Sequence, residues 1–147
     1  MTGEVIQKLR ALTGAGVMEC KRALDDTQGD IEAAVRLIHE RGLVKAEKKQ
    51  GRTTGSGLVE SYIHNERVGV LLELRSETDF VARSAPFREL AHELAMQIAA
   101  MDPVDPDALS AQPYIKDDSM TVGELVKRAM AKLGENIKVM RFSRYEI

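Results

Sequence analysis

The stretch from Lys45 to Gly57, Lys-Ala-Glu-Lys-Lys-Gln-Gly-Arg-Thr-Thr-Gly-Ser-Gly, constrains the fold most, because it carries almost nothing to bury. A segment so poor in apolar side chains and so rich in lysine and glycine reads as a linker, with Lys45, Lys48 and Lys49 as a solvated helix end. The hydrophobic period changes across it, from helical spacing before to strand-like alternation after. The expected organisation is a helical module over residues 1–44, a linker over 45–57 and an α+β core over 58–147.

In the module, Val5, Ile6, Leu9 and Leu12 form the stripe of a first helix, with Thr2 available as its cap. Thr13-Gly14-Ala15-Gly16 ends it. A second helix covers about Met18 to Thr27, with Met18, Ala23 and Leu24 apolar. After Gly29-Asp30 a third carries Ile31, Ala34, Val35 and Ile38, with Gly42 placed as its stop. Three short helices enclose a very small core, so docking on the rest of the chain or on a partner is expected to help hold them.

In the second part, Leu58 to His64 alternates as a strand, Val59, Ser61 and Ile63 facing one way and Leu58, Glu60 and Tyr62 the other. Asn65-Glu66-Arg67 reads as a hairpin loop into a second strand over Val68 to Leu74. Ser84 and Pro86 start a helix through Phe87, Leu90, Leu94 and Ile98, which the prolines of Asp102-Pro103-Val104-Asp105-Pro106-Asp107 end. Thr121-Val122-Gly123-Glu124 has capping-box spacing and opens a helix ending at Gly134. Asn136 to Tyr145 alternates as a third strand, with Ile137, Val139 and Arg141 on one side and Met140 and Phe142 on the other. The fold class is therefore α+β, a three-helix module followed by a small antiparallel three-stranded sheet packed with helices.

Several function classes fall away. With 21 basic and 23 acidic residues and a net charge of −2 in 147 residues, no global field recruits nucleic acid or an acidic membrane. Neither a signal-peptide run nor a spanning segment is seen, and the single cysteine, Cys20, fits a reducing compartment. A soluble cytoplasmic protein is expected. His92-Glu93-Leu94-Ala95-Met96 lacks the second histidine of a zinc helix, and His39, His64 and His92 lie in three different elements. Cys20 reads as a small buried hydrophobe. The glycines from Gly51 to Gly57 lack the Lys-Ser or Lys-Thr of a phosphate loop. Three Phe, three Tyr and no Trp are too few for a base-stacking sheet. No catalytic group, metal or cofactor is expected, and no direct nucleic-acid contact.

Ser76-Glu77-Thr78-Asp79-Phe80-Val81-Ala82-Arg83 joins the apolar second strand to the helix that follows. A short connection between two rigid elements can present side chains with little loss of order. Asp79 and Phe80 there have two readings. Either Asp79 stabilises a turn and Phe80 joins the core, or an exposed Phe beside an Asp forms a wedge with a polar guide for a partner's pocket. Local pattern does not separate them.

Three motifs in order resemble one family. Thr13-Gly14-Ala15-Gly16-Val17-Met18-Glu19-Cys20-Lys21-Arg22-Ala23-Leu24 with Gly29-Asp30 resembles the N-terminal module of bacterial elongation factor Ts. Glu77-Thr78-Asp79-Phe80-Val81-Ala82 resembles its core signature, and Leu133-Gly134-Glu135-Asn136-Ile137 its third block. The resemblance implies a nucleotide exchange factor, not an enzyme, that binds the GTPase elongation factor Tu and speeds GDP release. It implies a module similar to ubiquitin-associated domains, docking through Arg10, Val17, Met18 and Lys21. Thr78, Asp79, Phe80 and Val81 would enter near the nucleotide's Mg²⁺, and Gly134, Glu135 and Asn136 would form a further contact strip. Val17 stands where the family commonly has methionine. Longer members carry a second core repeat or an inserted helical hairpin, where here Met101 reaches Gln112 through a short loop. A homodimer, through C-terminal strand pairing or sheet packing, would restore contact surface, with no interchain disulfide near Ser143. The competing class, a ubiquitin-associated-like adaptor, expects Asp79 and Phe80 to be buried.

Overall fold

The structure, a computed structural model, describes residues 2–147. Three helices come first, α1 (Gly3–Thr13), α2 (Val17–Asp26) and α3 (Ile31–Lys49). They enclose their own small core of Leu9, Cys20, Ala23, Leu24, Ala34 and Ile38. Thr2 occupies the N-cap position of α1 without a side-chain cap bond. Asp30 caps α3, its carboxylate accepting from the Ala33 N–H at 3.0 Å.

The second part holds β1 (Ser56–His64), β2 (Val68–Ser76), α4 (Asp79–Ala82), α5 (Ala85–Met101), α6 (Pro106–Ala111), β3 (Pro113–Tyr114), β4 (Asp117–Thr121), α7 (Val122–Leu133) and β5 (Lys138–Glu146). The sheet is antiparallel in the order β1-β2-β5. Its inner face supplies Val70, Leu72 and Leu74, on which α5 lays Phe87, Leu90, Leu94 and Ile98. In the β1–β2 turn Asn65 and Glu66 take positive φ of 49° and 60°, the mirror-image geometry that suits the twist of a hairpin.

The third helix does not stop at Gly42. It continues to Lys49, and Gly42 is a point of close approach, where an added Cβ would lie 3.2 Å from the Ala131 Cβ on α7. Ala46, in the segment read as linker, is fully buried in the larger core. Lysines on the solvent side of this last part of α3 masked the one small residue that faces inward. Within the segment read as linker, irregular backbone is confined to Gln50–Gly55.

The third strand also departs from simple alternation. Leu74 pairs with Val139 and Glu73 with Arg141, so Met140 is the extra residue of a bulge. A bulge inverts the parity beyond it, which puts Phe142 on the core side with Val139 and turns Arg141 out toward Glu73. Between α5 and α7 the expected loop contains α6, capped by Asp105 through the Ala108 N–H at 2.7 Å, and the β3–β4 hairpin. The buried Gln97 side chain holds that hairpin, donating to the Pro113 carbonyl at 3.1 Å and accepting from the Ile115 N–H at 3.0 Å. At α7 the Thr121 hydroxyl accepts from the Glu124 N–H at 3.2 Å, and the reciprocal carboxylate bond is not formed. No described helix is long and apolar enough to cross a membrane.

Candidate functional site

Ser76, the last residue of β2, is fully buried, and its hydroxyl donates to the Thr78 carbonyl at 2.9 Å. That bond turns the chain out of the sheet. Thr78, in extended conformation, caps the one-turn helix α4 by accepting from the Val81 N–H at 3.3 Å. The Ser84 hydroxyl closes the other end on the Val81 carbonyl at 2.7 Å. Four residues do not form a stable helix alone, so its geometry comes from these bonds and from burial.

Burial divides the motif sharply. Val81 and Ala82 are each 5% exposed, whereas Phe80 is 87% exposed. Thr78 and Asp79 are also exposed. Val81 is thus the buried root of the tip, and its side chain faces the protein's own core. The wedge reading of Phe80 fits this arrangement, and the adaptor reading, which expects Asp79 and Phe80 buried, does not. Covering a Phe side chain is worth about 1.5–3 kcal/mol, so a partner that accepts it gains what the folded chain leaves unused.

The structure brings the third motif onto this tip. One Glu135 carboxylate oxygen accepts from the N–H groups of Glu77 and Thr78 at 3.1 and 3.0 Å, and the other from the Thr78 hydroxyl at 2.7 Å. In return the Glu77 carboxylate accepts from the Asn136 N–H at 2.7 Å and lies 3.6 Å from Arg52. Asn136 is 4% exposed and donates to the carbonyls of Gln50 and Arg52 at 3.2 and 2.8 Å, tying in the segment after α3. Gly134 ends α7 with a positive φ of 76°, which turns the chain so that Glu135 faces the tip. No spacing in the sequence links residues so far apart.

A second exposed group sits at the α1–α2 turn. Arg10, Val17, Met18 and Lys21 are all exposed, and Leu12 joins them, an apolar member that the motif comparison passed over. Arg10 donates from Nε to the Ala15 carbonyl at 3.4 Å. The outer face of the sheet is a third such surface, with Val59, Ile63, Leu71 and Tyr145 exposed. On it, hydrogen bonds from Arg75 and Arg141 hold the Glu73 carboxyl below the usual carboxylate range. Among the described residues no cluster of three or more His, Cys, Asp or Glu is arranged to hold a metal ion.

The family model described as "Elongation factor TS" matches residues 18–104 and 77–147. The elongation factor Ts of Thermotoga neapolitana is 40% identical, the alignment covering 98% of this chain and 95% of that protein. The elongation factor Ts of a Synechococcus species is also 40% identical, over all of this chain and 89% of its own length. A chloroplastic polyprotein of EF-Ts from indica rice is 39% identical over the whole chain, which matches 17% of that longer protein. These alignments span 188 to 194 residues, so the relatives carry segments absent here.

Proposed function

The chain belongs to the elongation factor Ts family, nucleotide exchange factors for elongation factor Tu in translation elongation, and from that membership we propose how its parts share the work. The helical module docks on the GTPase through Arg10, Val17, Met18 and Lys21. The tip from Thr78 to Val81 enters beside the bound Mg²⁺ and phosphates, with Asp79 as polar guide, Phe80 parting side chains that support the metal, and Val81 as buried root. Gly134, Glu135 and Asn136 border the same contact. The division into docking module, connector and α+β core is part of this proposal, and so is action in the cytoplasm.

The single observation that carries the reading is the exposure of Phe80 on a one-turn helix that is rooted in the core by Val81 and Ala82. The physics needs no bond made or broken by this chain. GDP is held by backbone donors and by Mg²⁺ bridging to its phosphate, so moving the metal's supports weakens the nucleotide. Linkage is reciprocal, and the factor and the nucleotide loosen each other by the same amount. GTP can therefore displace the factor. Stopped-flow release of a fluorescent GDP analogue from elongation factor Tu tests this. The chain is expected to accelerate release in a concentration-dependent, saturating way, and an unchanged rate refutes the proposal.

The open outer face of the sheet supports a homodimer as part of the same reading. Two copies packed sheet to sheet would cover Val59, Ile63, Leu71 and Tyr145 and supply a second tip. Sedimentation at micromolar concentration is expected to show a dimer that Leu71→Glu converts to a monomer. A monomeric wild type contradicts it.

A further inference from the structure

Glu135 lies in a motif that the resemblance treats as a partner-contact strip, yet both its carboxylate oxygens are already engaged within the chain. We infer that Glu135 is a positioning residue for nucleotide exchange, acting through Thr78 to hold the one-turn helix that presents Phe80. This rests on the proposed role of the tip.

One hydroxyl links Glu135 to the helix. Thr78 Oγ1 donates to Glu135 at 2.7 Å and accepts from the Val81 N–H at 3.3 Å. With its proton committed to the carboxylate, the hydroxyl keeps a lone pair toward Val81, which fixes the first turn of α4. The same carboxylate takes the two N–H groups that precede that turn, and charge-assisted bonds of this kind are the stronger ones. Phe80 lies between the capping residue, Thr78, and Val81, whose N–H Thr78 caps, so its direction follows from theirs. The crossed bond from the Asn136 N–H to Glu77 ties the two corners together from the other side. Through Asn136 and Arg52 the clasp also reaches the connector from the helical module.

A wedge needs a fixed direction more than it needs affinity. A loosened clasp leaves the docking surface on α1 and α2 untouched and lowers the fraction of tips aimed correctly. The test uses Glu135→Gln, Thr78→Val and the double variant in the full chain. The maximal rate of GDP release is expected to fall about tenfold in each single variant, with the half-saturating concentration changed less than about threefold. If Glu135 works through Thr78, the double variant is no slower than the worse single one within about twofold. Rates that fall by the product of the two single effects overturn the inference, since Glu135 would then act independently of Thr78. In the free protein, hydrogen exchange at the Val81 amide is expected to accelerate in both single variants, and an unchanged amide overturns the clasp itself. That readout needs no partner and separates the two levels. A wild-type release rate for Phe80→Ala removes the wedge and the exchange role of Glu135 together, whatever the amide shows.

Discussion

The glycines of the connector give the sharpest stability prediction, since a linker reading treats them alike and the structure does not. Gly57 lies in β1 opposite Arg75 with φ +155°, and a Cβ there would fall 2.3 Å from the Leu74 carbonyl oxygen and 2.9 Å from the Arg75 Cα. Both obstacles are backbone, so no rotamer change relieves them. Backbone confined to glycine-only geometry costs about 1–3 kcal/mol for another residue, and moving the strand aside sacrifices a ladder hydrogen bond of about 0.5–1.5 kcal/mol. Gly57→Ala is therefore expected to destabilise by about 2–4 kcal/mol. With a urea slope near 2 kcal/mol/M for a domain of this size, the unfolding midpoint should drop by about 1–2 M with an unchanged slope. Gly51 and Gly55 have open space around the Cβ position and no positive φ. Alanine at either is expected to be neutral or to stabilise by up to about 1 kcal/mol through the unfolded chain. A Gly57→Ala midpoint equal to that of Gly55→Ala would show that the β1 backbone accommodates a side chain at Gly57 without loss.

Adjacent residues of the tip should separate stability from function. Val81→Ala is expected to cost about 1–3 kcal/mol in urea unfolding, whereas Phe80→Ala should stay within about 0.5 kcal/mol of wild type. At the α3–α7 contact, Gly42→Val overfills a site where even a Cβ is tight against Ala131, and a loss of about 1–3 kcal/mol is expected in thermal or urea melts. His39 and Arg128 line the cleft between α3 and α7, and burial, with Arg128 second, holds the imidazole below its ordinary value of 6.5. The unfolded chain then binds the extra proton first, so stability should fall as pH drops through 6.5 and level off below the folded value. His39→Gln should flatten that part of the profile, and an unchanged slope counts against it.

Much of the fold could be read from periodicity. The stripe of α5 and the alternation of β1 reflect one face buried and one solvated, the condition under which pattern reports structure, whereas Leu12 and Met18, read with the apolar residues of α1 and α2, are exposed. Where another constraint intervened, pattern misled. The bulge at Met140 shifts parity without any residue that announces it. Gly42 resembles a helix stop but answers to Ala131, a neighbour distant in sequence. The β3–β4 hairpin has little apolar alternation because Gln97 holds it by hydrogen bonds. At the site, Phe80 and Asp79 were recognisable by motif, while their exposure was not. The clasp of Glu135, Glu77 and Asn136 is tertiary, and only the fold shows that two motifs form one structure.

If Phe80 promotes GDP release by disturbing the support of Mg²⁺, its effect depends on the metal. GDP-release rates from elongation factor Tu should be measured with saturating wild type and Phe80→Ala, in millimolar Mg²⁺ and again in excess EDTA. With Mg²⁺ present the substitution is expected to slow release by about tenfold or more, the effect of a lost contact of ~1.4 kcal/mol at the transition state. With the metal already removed, the gap between the two proteins should narrow to within about twofold. Equal rates in Mg²⁺, or a gap that is the same in both buffers, would show that Phe80 does not act through the metal.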